Sequence, residues 1–128
     1  MLRSRLDEVF QRNPSAIDLK EEFEQLLSAI ISKVKPVAII LTGSMAKGRF
    51  VRGMSDIDLL IVASESKPRF FIRAIRDVDV EATVYTLEDL LHSIENGNQF
   101  IIDAIENGIT LVGEDIIRRA STPAKKPN

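Results

Sequence analysis

Two aspartates stand two residues apart at the start of an apolar run, in the segment Asp56-Ile57-Asp58. Side chains two apart on a strand share a face, so a strand that begins here points both carboxylates the same way. Neighbouring anions repel unless a cation lies between them or one takes up a proton, and hard oxygen ligands of this kind suit magnesium. Taken alone, such a short pattern favours the plainer interpretation, in which both aspartates only begin a strand in solvent.

A Gly-Ser pair ends the apolar run that precedes these acids along the chain. Gly43 can adopt backbone angles closed to other residues and lets a phosphate approach closely, while Ser44 offers a hydroxyl donor and the amides after it can point at an anion. The pair therefore indicates either a cradle for a triphosphate or an ordinary turn at the end of a strand. It is not a P-loop, because no Gly-Lys-Ser/Thr closes the segment.

Three cations, Lys47, Arg49 and Arg52, lie between the turn and the aspartates. They could bind phosphate oxygens that metal ions leave uncovered, or they could be the solvated charges of a loop. Lys47 is the best of the three candidates for phosphate binding.

Strands on both sides of this loop must position the candidate residues. Asn13-Pro14 predicts a turn, Ser15 predicts a helix N-cap, and Pro36 ends that helix. The predicted elements, in chain order, are a helix at 15–34, a strand at 37–41, a helical turn at 45–49, a loop at 50–55, a strand at 56–62, a helix that begins at Pro68 and contains Phe71, Ile72 and Ile75, a strand at 80–85, a helix that Thr86 caps and that ends at Asn96-Gly97, a helix that ends at Asn107-Gly108, and a strand at 109–112.

These elements alternate in no strict strand-helix-strand order, which predicts the α+β class. We expect a small mixed β-sheet with helices packed mainly on one face. The length of 128 residues predicts a single domain over residues 1–120, with its N-terminal helix at about 15–34 and its core at about 37–113. Residues 121–128 contain proline and lysine and little to bury, so they are expected to form a flexible tail.

Composition excludes several other kinds of chemistry. The sequence contains no cysteine, which removes disulfides, thiolate catalysis and cysteine-ligated zinc. Its formal net charge of −2 gives no overall attraction to nucleic acid or to an anionic membrane. No apolar run approaches the roughly 20 residues that span a bilayer, and the start of the sequence does not read as a secretion signal. We therefore expect a cytoplasmic protein.

The candidate residues, taken together in this order, resemble the nucleotidyltransferase superfamily that has a DNA polymerase beta-like catalytic core. Its minimal, single-domain members are the most similar. The family pattern is Gly-Ser, a basic and glycine-containing segment, and then Asp-x-Asp. Here it reads Gly43-Ser44-Met45-Ala46-Lys47-Gly48-Arg49, followed by Ser55-Asp56-Ile57-Asp58-Leu59-Leu60-Ile61-Val62. The resemblance extends to Gly113, and the segment between Ser44 and Asp56 is one residue longer than is usual, which a loop can absorb.

The resemblance implies a polymerase beta palm-like fold and a third acid on the neighbouring strand. That acid is usually aspartate, and the position that matches best here is Glu81, with Asp79 on the same strand face as the alternative. By the resemblance, Asp56, Asp58 and Glu81 would be the catalytic residues and would hold two Mg²⁺ ions. Gly43, Ser44, Lys47 and Arg49 would bind the nucleotide.

The implied reaction transfers a nucleoside monophosphate, AMP from ATP or that of another nucleoside triphosphate, to a hydroxyl of a protein or small molecule. The implied partner is a helical HEPN-domain protein, for which the chain would act as the antitoxin of a toxin–antitoxin pair. The alternative is a binding module with weak or no catalysis that acts by complex formation. Neither a membrane nor a nucleic acid is indicated as a partner, and the pattern is compatible with a homo-oligomer.

Overall fold

The protein is described by a computed structural model, which covers residues 2–64 and 69–121. Its helices are α1 Leu2–Arg12, a 3₁₀ helix Pro14–Leu19, α2 Lys20–Val34, α3 Gly43–Ala46, α4 Leu87–Glu95, α5 Gln99–Asn107 and α6 Glu114–Ser121. Its strands are β1 Ala38–Thr42, β2 Ile57–Ala63, β3 Arg69–Ile75, β4 Val78–Thr86 and β5 Ile109–Val112. The predicted tail, from residue 122 on, lies outside the described residues.

The strands form one five-stranded sheet in the order β3-β4-β2-β1-β5. β2 pairs with β4 in parallel, and the other neighbours pair antiparallel. The two central strands are almost wholly buried, as their unbroken apolar runs predict. The α+β class with a small mixed sheet is therefore confirmed.

The two faces of the sheet contribute to different apolar layers. On β2, Ile57, Leu59 and Ile61 pack in a layer with α1, the 3₁₀ helix and α2, whereas Leu60 and Val62 pack in a layer with α4, α5 and α6. Helices thus cover both faces, which corrects the expectation that they lie mainly on one. A central strand that is apolar on both sides requires cover on both sides.

The segment from Arg69 to Ile75 is the strand β3, so the helix predicted from Pro68 is wrong over the described residues. Residues four apart share a face in a strand as well as in a helix, so the spacing of Phe71 and Ile75 fits both structures. The hairpin with β4 decides between them, since β3 pairs along its whole length and Ile75 lies opposite Val78. The connecting turn places Arg76 at a positive φ of 57°, without the Asn-Gly signal that usually marks such a turn.

The predicted helix at 15–34 consists of a 3₁₀ helix followed by α2. Ser15 lies inside the 3₁₀ helix and is not its N-cap, which is Asn13. The predicted end is confirmed, because Lys35 takes a left-handed conformation directly before Pro36. The predicted cap of α4 is confirmed as well, since the Thr86 hydroxyl accepts a hydrogen bond of 3.0 Å from the Asp89 amide. Throughout residues 2–64 and 69–121, every helix is too short or too polar to cross a membrane.

Helix α1 has no counterpart among the predicted elements. Leu6, Val9 and Phe10 recur at helical spacing and are each 1% exposed, so α1 belongs to the main core. The ring of Phe10 meets the ring of Phe23 of α2 edge to face, with centroids 6.1 Å apart. The N-terminal helix is thus packed into the domain, against the layer that covers one face of the sheet.

We predict that Phe10→Ala lowers the free energy of unfolding by about 3–5 kcal/mol, because it leaves a cavity among fully buried neighbours. Urea unfolding followed by circular dichroism measures the change. The control is Ile17→Ala, which removes a side chain that is 55% exposed and is expected to cost less than about 0.5 kcal/mol. Equal effects of the two substitutions would show that α1 is not part of the core.

Candidate active site

Three adjacent strands bring the candidate residues together at one end of the sheet. In the antiparallel pair of β1 and β2, Thr42 lies opposite Asp58. In the parallel pair of β2 and β4, Asp58 lies beside Glu81. Because Gly43 follows Thr42 directly, the Gly-Ser turn and the two acids are neighbours in space although the chain separates them widely.

The two acids on the strands also share a face. Their strand neighbours Ile57 and Leu59 on β2, and Val80 on β4, point into the layer of α1 and α2, so Asp58 and Glu81 point to the opposite side. Both carboxylates are half-buried, and Asp56, just before β2, is exposed.

Asp58 lies directly against the turn, in space that only a glycine leaves free. Gly43 has a positive φ of 74°, and a Cβ built on it would overlap Asp58 Oδ2 and lie 3.2 Å from Asp58 Cγ. Glycine is required here for two independent reasons, its left-handed backbone and the approach of the carboxylate. Gly43 is therefore required by the position of the Asp58 carboxylate as well as by the turn.

The carboxylates interact strongly enough to change their protonation. The pKa of Glu81 is raised to about 7, first by a hydrogen bond with the Asp56 side chain, then by partial burial and by the negative charges of Asp56, Asp58 and Asp79. The pKa of Asp58 is raised by burial and by the charge of Asp56. The negative charges among these causes are the repulsion that the sequence pattern predicts.

Of the two candidates for the third acid, Glu81 is the one in register with Asp58. Asp79 lies two residues earlier on β4, is exposed, and stands opposite Ala74 of β3. Its charge contributes to the raised pKa of Glu81, so Asp79 lies close to Glu81. It is not the strand partner of Asp58.

The candidate phosphate-binding cations have different surroundings. Lys47 Nζ lies 3.7 Å from Asp103 Oδ2 of α5, and both side chains are 43% exposed. Arg49 is exposed and forms no ion pair within the described residues. Such exposed cations can exchange their partners at small cost.

Arg52 does not serve as the free phosphate-binding cation that the sequence left open. Its guanidinium binds the carboxylates of Asp18 and Asp77 and also donates to the backbone carbonyl of Ser15 at 2.9 Å. These bonds lower the pKa of both aspartates. Arg52 therefore ties the loop before Asp56 to the 3₁₀ helix and to the β3–β4 turn.

Carboxylate oxygens are ligands that suit Mg²⁺, so the chemistry of the three acids fits a metal ion. Within residues 2–64 and 69–121, no group of three or more His, Asp or Glu side chains is arranged to hold a metal ion. The raised pKa values of Asp58 and Glu81 indicate repulsion among these acids, which a bound cation would relieve.

Sequence reasoning missed two residues at this site. Asp103, the partner of Lys47, lies on α5 far along the chain, and no spacing rule connects the two. Asn13 was interpreted as a turn residue before Pro14, yet its side chain is 2% exposed and bonds to the segment after the turn. An asparagine directly after an amphipathic helix was the available signal, had α1 been predicted.

Comparison with known proteins identifies the family of the chain. A family model described as a nucleotidyltransferase domain matches residues 19–119. The chain therefore belongs to the nucleotidyltransferase domain family, and its general activity is nucleotidyl transfer. No curated protein matches the chain.

We predict that Gly43→Ala lowers the rate of nucleotidyl transfer by about 100-fold, because the new Cβ displaces the Asp58 carboxylate. Gly97→Ala is a matched control, since Gly97 has the same φ of 74° and nothing within 4 Å of the added Cβ. Both variants carry left-handed strain of about 1–2 kcal/mol, so only the displacement of Asp58 distinguishes them. Full activity of Gly43→Ala would show that the contact is not required.

We predict that the stability of the metal-free protein falls as pH rises from the ordinary glutamate pKa of 4.5 to about 7. The folded protein holds the Glu81 proton more tightly than the unfolded chain does, so this stabilisation is complete below the window and lost above it. Glu81→Gln should make the fall smaller and raise the melting temperature above the window. Thermal unfolding in EDTA across this range measures both, and identical pH profiles for the two proteins would contradict the raised pKa of Glu81.

Proposed function

We propose that the chain is a metal-dependent nucleotidyltransferase that transfers AMP from ATP to a hydroxyl of a protein or small molecule. The observation that carries the proposal is the register of three strands, which sets Glu81 beside Asp58 and Asp58 against Gly43. A reaction that consumes ATP would fit a cytoplasmic protein.

Asp56, Asp58 and Glu81 are the residues that would hold the divalent cations, two Mg²⁺ ions in our proposal. Their mutual repulsion, which contributes to the raised pKa values of Asp58 and Glu81, indicates a site that a cation would stabilise. When bound, such ions neutralise phosphate charge and lower the pKa of a coordinated hydroxyl.

The transfer forms one bond and breaks another, and side chains of this protein would assist it. The acceptor oxygen forms a bond to the α-phosphorus, the bond from that phosphorus to the bridging oxygen breaks, and pyrophosphate leaves. Glu81, which lies beside Asp58, is placed to receive the proton of the acceptor hydroxyl. The Ser44 hydroxyl and the cations Lys47 and Arg49 would bind phosphate oxygens, with Lys47 leaving Asp103 for the nucleotide.

The second candidate is a binding module that neutralises a partner by contact, with weak or no catalysis. Two observations favour it: a glutamate stands where the family usually has aspartate, and no group of acids within the described residues is arranged to hold an ion. The partner proposed for either role is a helical HEPN-domain protein, which rests on the resemblance of the sequence motifs.

We predict that the protein, with Mg²⁺, transfers label from ATP labelled at the α-phosphate to a HEPN-domain partner, and that label at the γ-phosphate leaves with pyrophosphate. Asp58→Asn should reduce the transfer by at least about 100-fold, since even residues that only orient metal ligands contribute 10–100-fold. Asp79→Asn is the matched control, because it removes an exposed acid of the same strand face and should retain most activity.

One outcome would decide against the enzyme, and another against the assignment of its acids. Tight complex formation with the partner, without label transfer and without magnesium-dependent nucleotide binding, would support the binding module. Equal losses in Asp58→Asn and Asp79→Asn would contradict the assignment of Glu81 and Asp58 as the paired acids.

A further inference from the structure

Among the described side chains that precede the family match at residue 19, that of Asn13 alone is both polar and buried. Asn13 follows α1 directly and is 2% exposed. A buried amide must find partners for its two N–H donors and its oxygen, or it destabilises the fold. The partners that it finds indicate what the residue does.

All three hydrogen bonds of the Asn13 amide are made. Nδ2 donates to the backbone carbonyl of Val9 at 2.8 Å and to that of Met45 at 2.9 Å. Oδ1 accepts from the backbone amide of Phe50 at 3.1 Å. One bond thus goes to α1, which ends directly before Asn13, and two go to a distant segment of the chain.

The two distant partners bracket the candidate nucleotide-binding residues. Met45 and Phe50 enclose the segment 46–49, which contains Lys47 and Arg49. Both Met45 and Phe50 are themselves buried, at 1% and 7% exposure. A single side chain therefore holds both ends of this segment against the core.

The segment is otherwise held by apolar packing and by local bonds. Ala46 and the two flanking residues are buried in the main core. The backbone bonds are local, since the amides of residues 47–49 donate to the carbonyls of Ser44 and Met45. Asn13 adds directional hydrogen bonds from the end of α1, which apolar packing does not supply.

We infer that Asn13 is a positioning residue for nucleotide binding, which acts by holding the segment from Ser44 to Arg49 in place. The inference rests on the proposed function. The acids Asp58 and Glu81 are held separately, by strand pairing. Loss of the Asn13 amide should therefore weaken nucleotide binding and leave the acids in place.

The experiment compares the full-length protein with Asn13→Asp and Asn13→Leu. Asn13→Asp keeps an acceptor for the Phe50 amide but sets a carboxylate oxygen against the Met45 and Val9 carbonyls, and Asn13→Leu removes all three bonds. We expect KM for ATP to rise by about 10-fold to 100-fold with a much smaller change in kcat, as displacement of a binding group by about 1 Å predicts. The pH profile of kcat should be unchanged.

Leu6→Ala is the matched control for stability. Leu6 is 1% exposed, lies on the same helix and does not bond to the loop, so its loss lowers the melting temperature without moving the segment 46–49. A rise in KM confined to the Asn13 variants supports positioning. An equal rise in Leu6→Ala, or an unchanged KM in both Asn13 variants, would overturn it.

A second measurement separates this inference from the proposed function. Amide hydrogen exchange should show faster exchange at Phe50 in Asn13→Asp than in the parent and in Leu6→Ala, whether or not nucleotide is present. If the parent binds no nucleotide, the proposed function fails, while exchange at Phe50 still decides whether Asn13 holds the loop. Unchanged protection of Phe50 in both Asn13 variants would refute the inference on its own.

Discussion

The contact between Asp58 and Gly43 is the constraint on which the site depends. It exists because β1 and β2 pair with Thr42 opposite Asp58, so that the residue after Thr42 lies over the carboxylate. A slip of one residue would turn every side chain of β2 to the other face. Because β2 is apolar on both faces beyond Asp58, the cost of such a slip lies in turning the Asp58 carboxylate into the apolar layer of α1 and α2, and the hydrophobic core thereby fixes the distance between a turn and an acid.

Several acidic residues outside the site are paired with arginine, unlike Asp58 and Glu81. Asp18 and Asp77 have their pKa values lowered, chiefly by hydrogen bonds from Arg52, and Glu22 pairs with Arg76. Asp58 and Glu81 have no cationic partner among the described residues, and their pKa values are raised. Over the described residues, the fold pairs acids with arginine in one place and leaves Asp58 and Glu81 unpaired in another. Because stability alone would favour pairing in both places, the unpaired acids indicate a functional site.

Much of this could be predicted from the sequence, and the failures have a common cause. The apolar runs of β1 and β2, the Thr86 cap of α4 and the turn between the strands are local signals, and the structure has them where they were expected. β3 was predicted as a helix because its spacing fits both structures and only its pairing with β4 decides.

The same limit applies within the site. The order of Gly43, Asp58 and Glu81 along the chain indicated that they meet, because strands carry them. The partners of the cations could not be predicted in this way. Lys47 with Asp103 and Arg52 with Asp18 and Asp77 are pairs between distant surface elements, whose approach follows from tertiary packing alone.

The N-terminal segment shows why a family boundary need not coincide with the boundary of a working site. The loop from Met45 to Arg52 pairs with no strand, and an unpaired loop retains conformational entropy that must be overcome before it can hold a ligand. Two of its anchors lie before residue 19, Asn13 at one end, and Asp18 with the Ser15 carbonyl at the other, while Asp103 and Asp77 of the matched domain also bind cations of the loop. The strands of the matched domain place the acids, whereas residues that precede the match help to place the loop that would meet the nucleotide. The two halves of the site are therefore held in part by different segments of the chain, and a change in one can alter binding while it leaves the acids where they are.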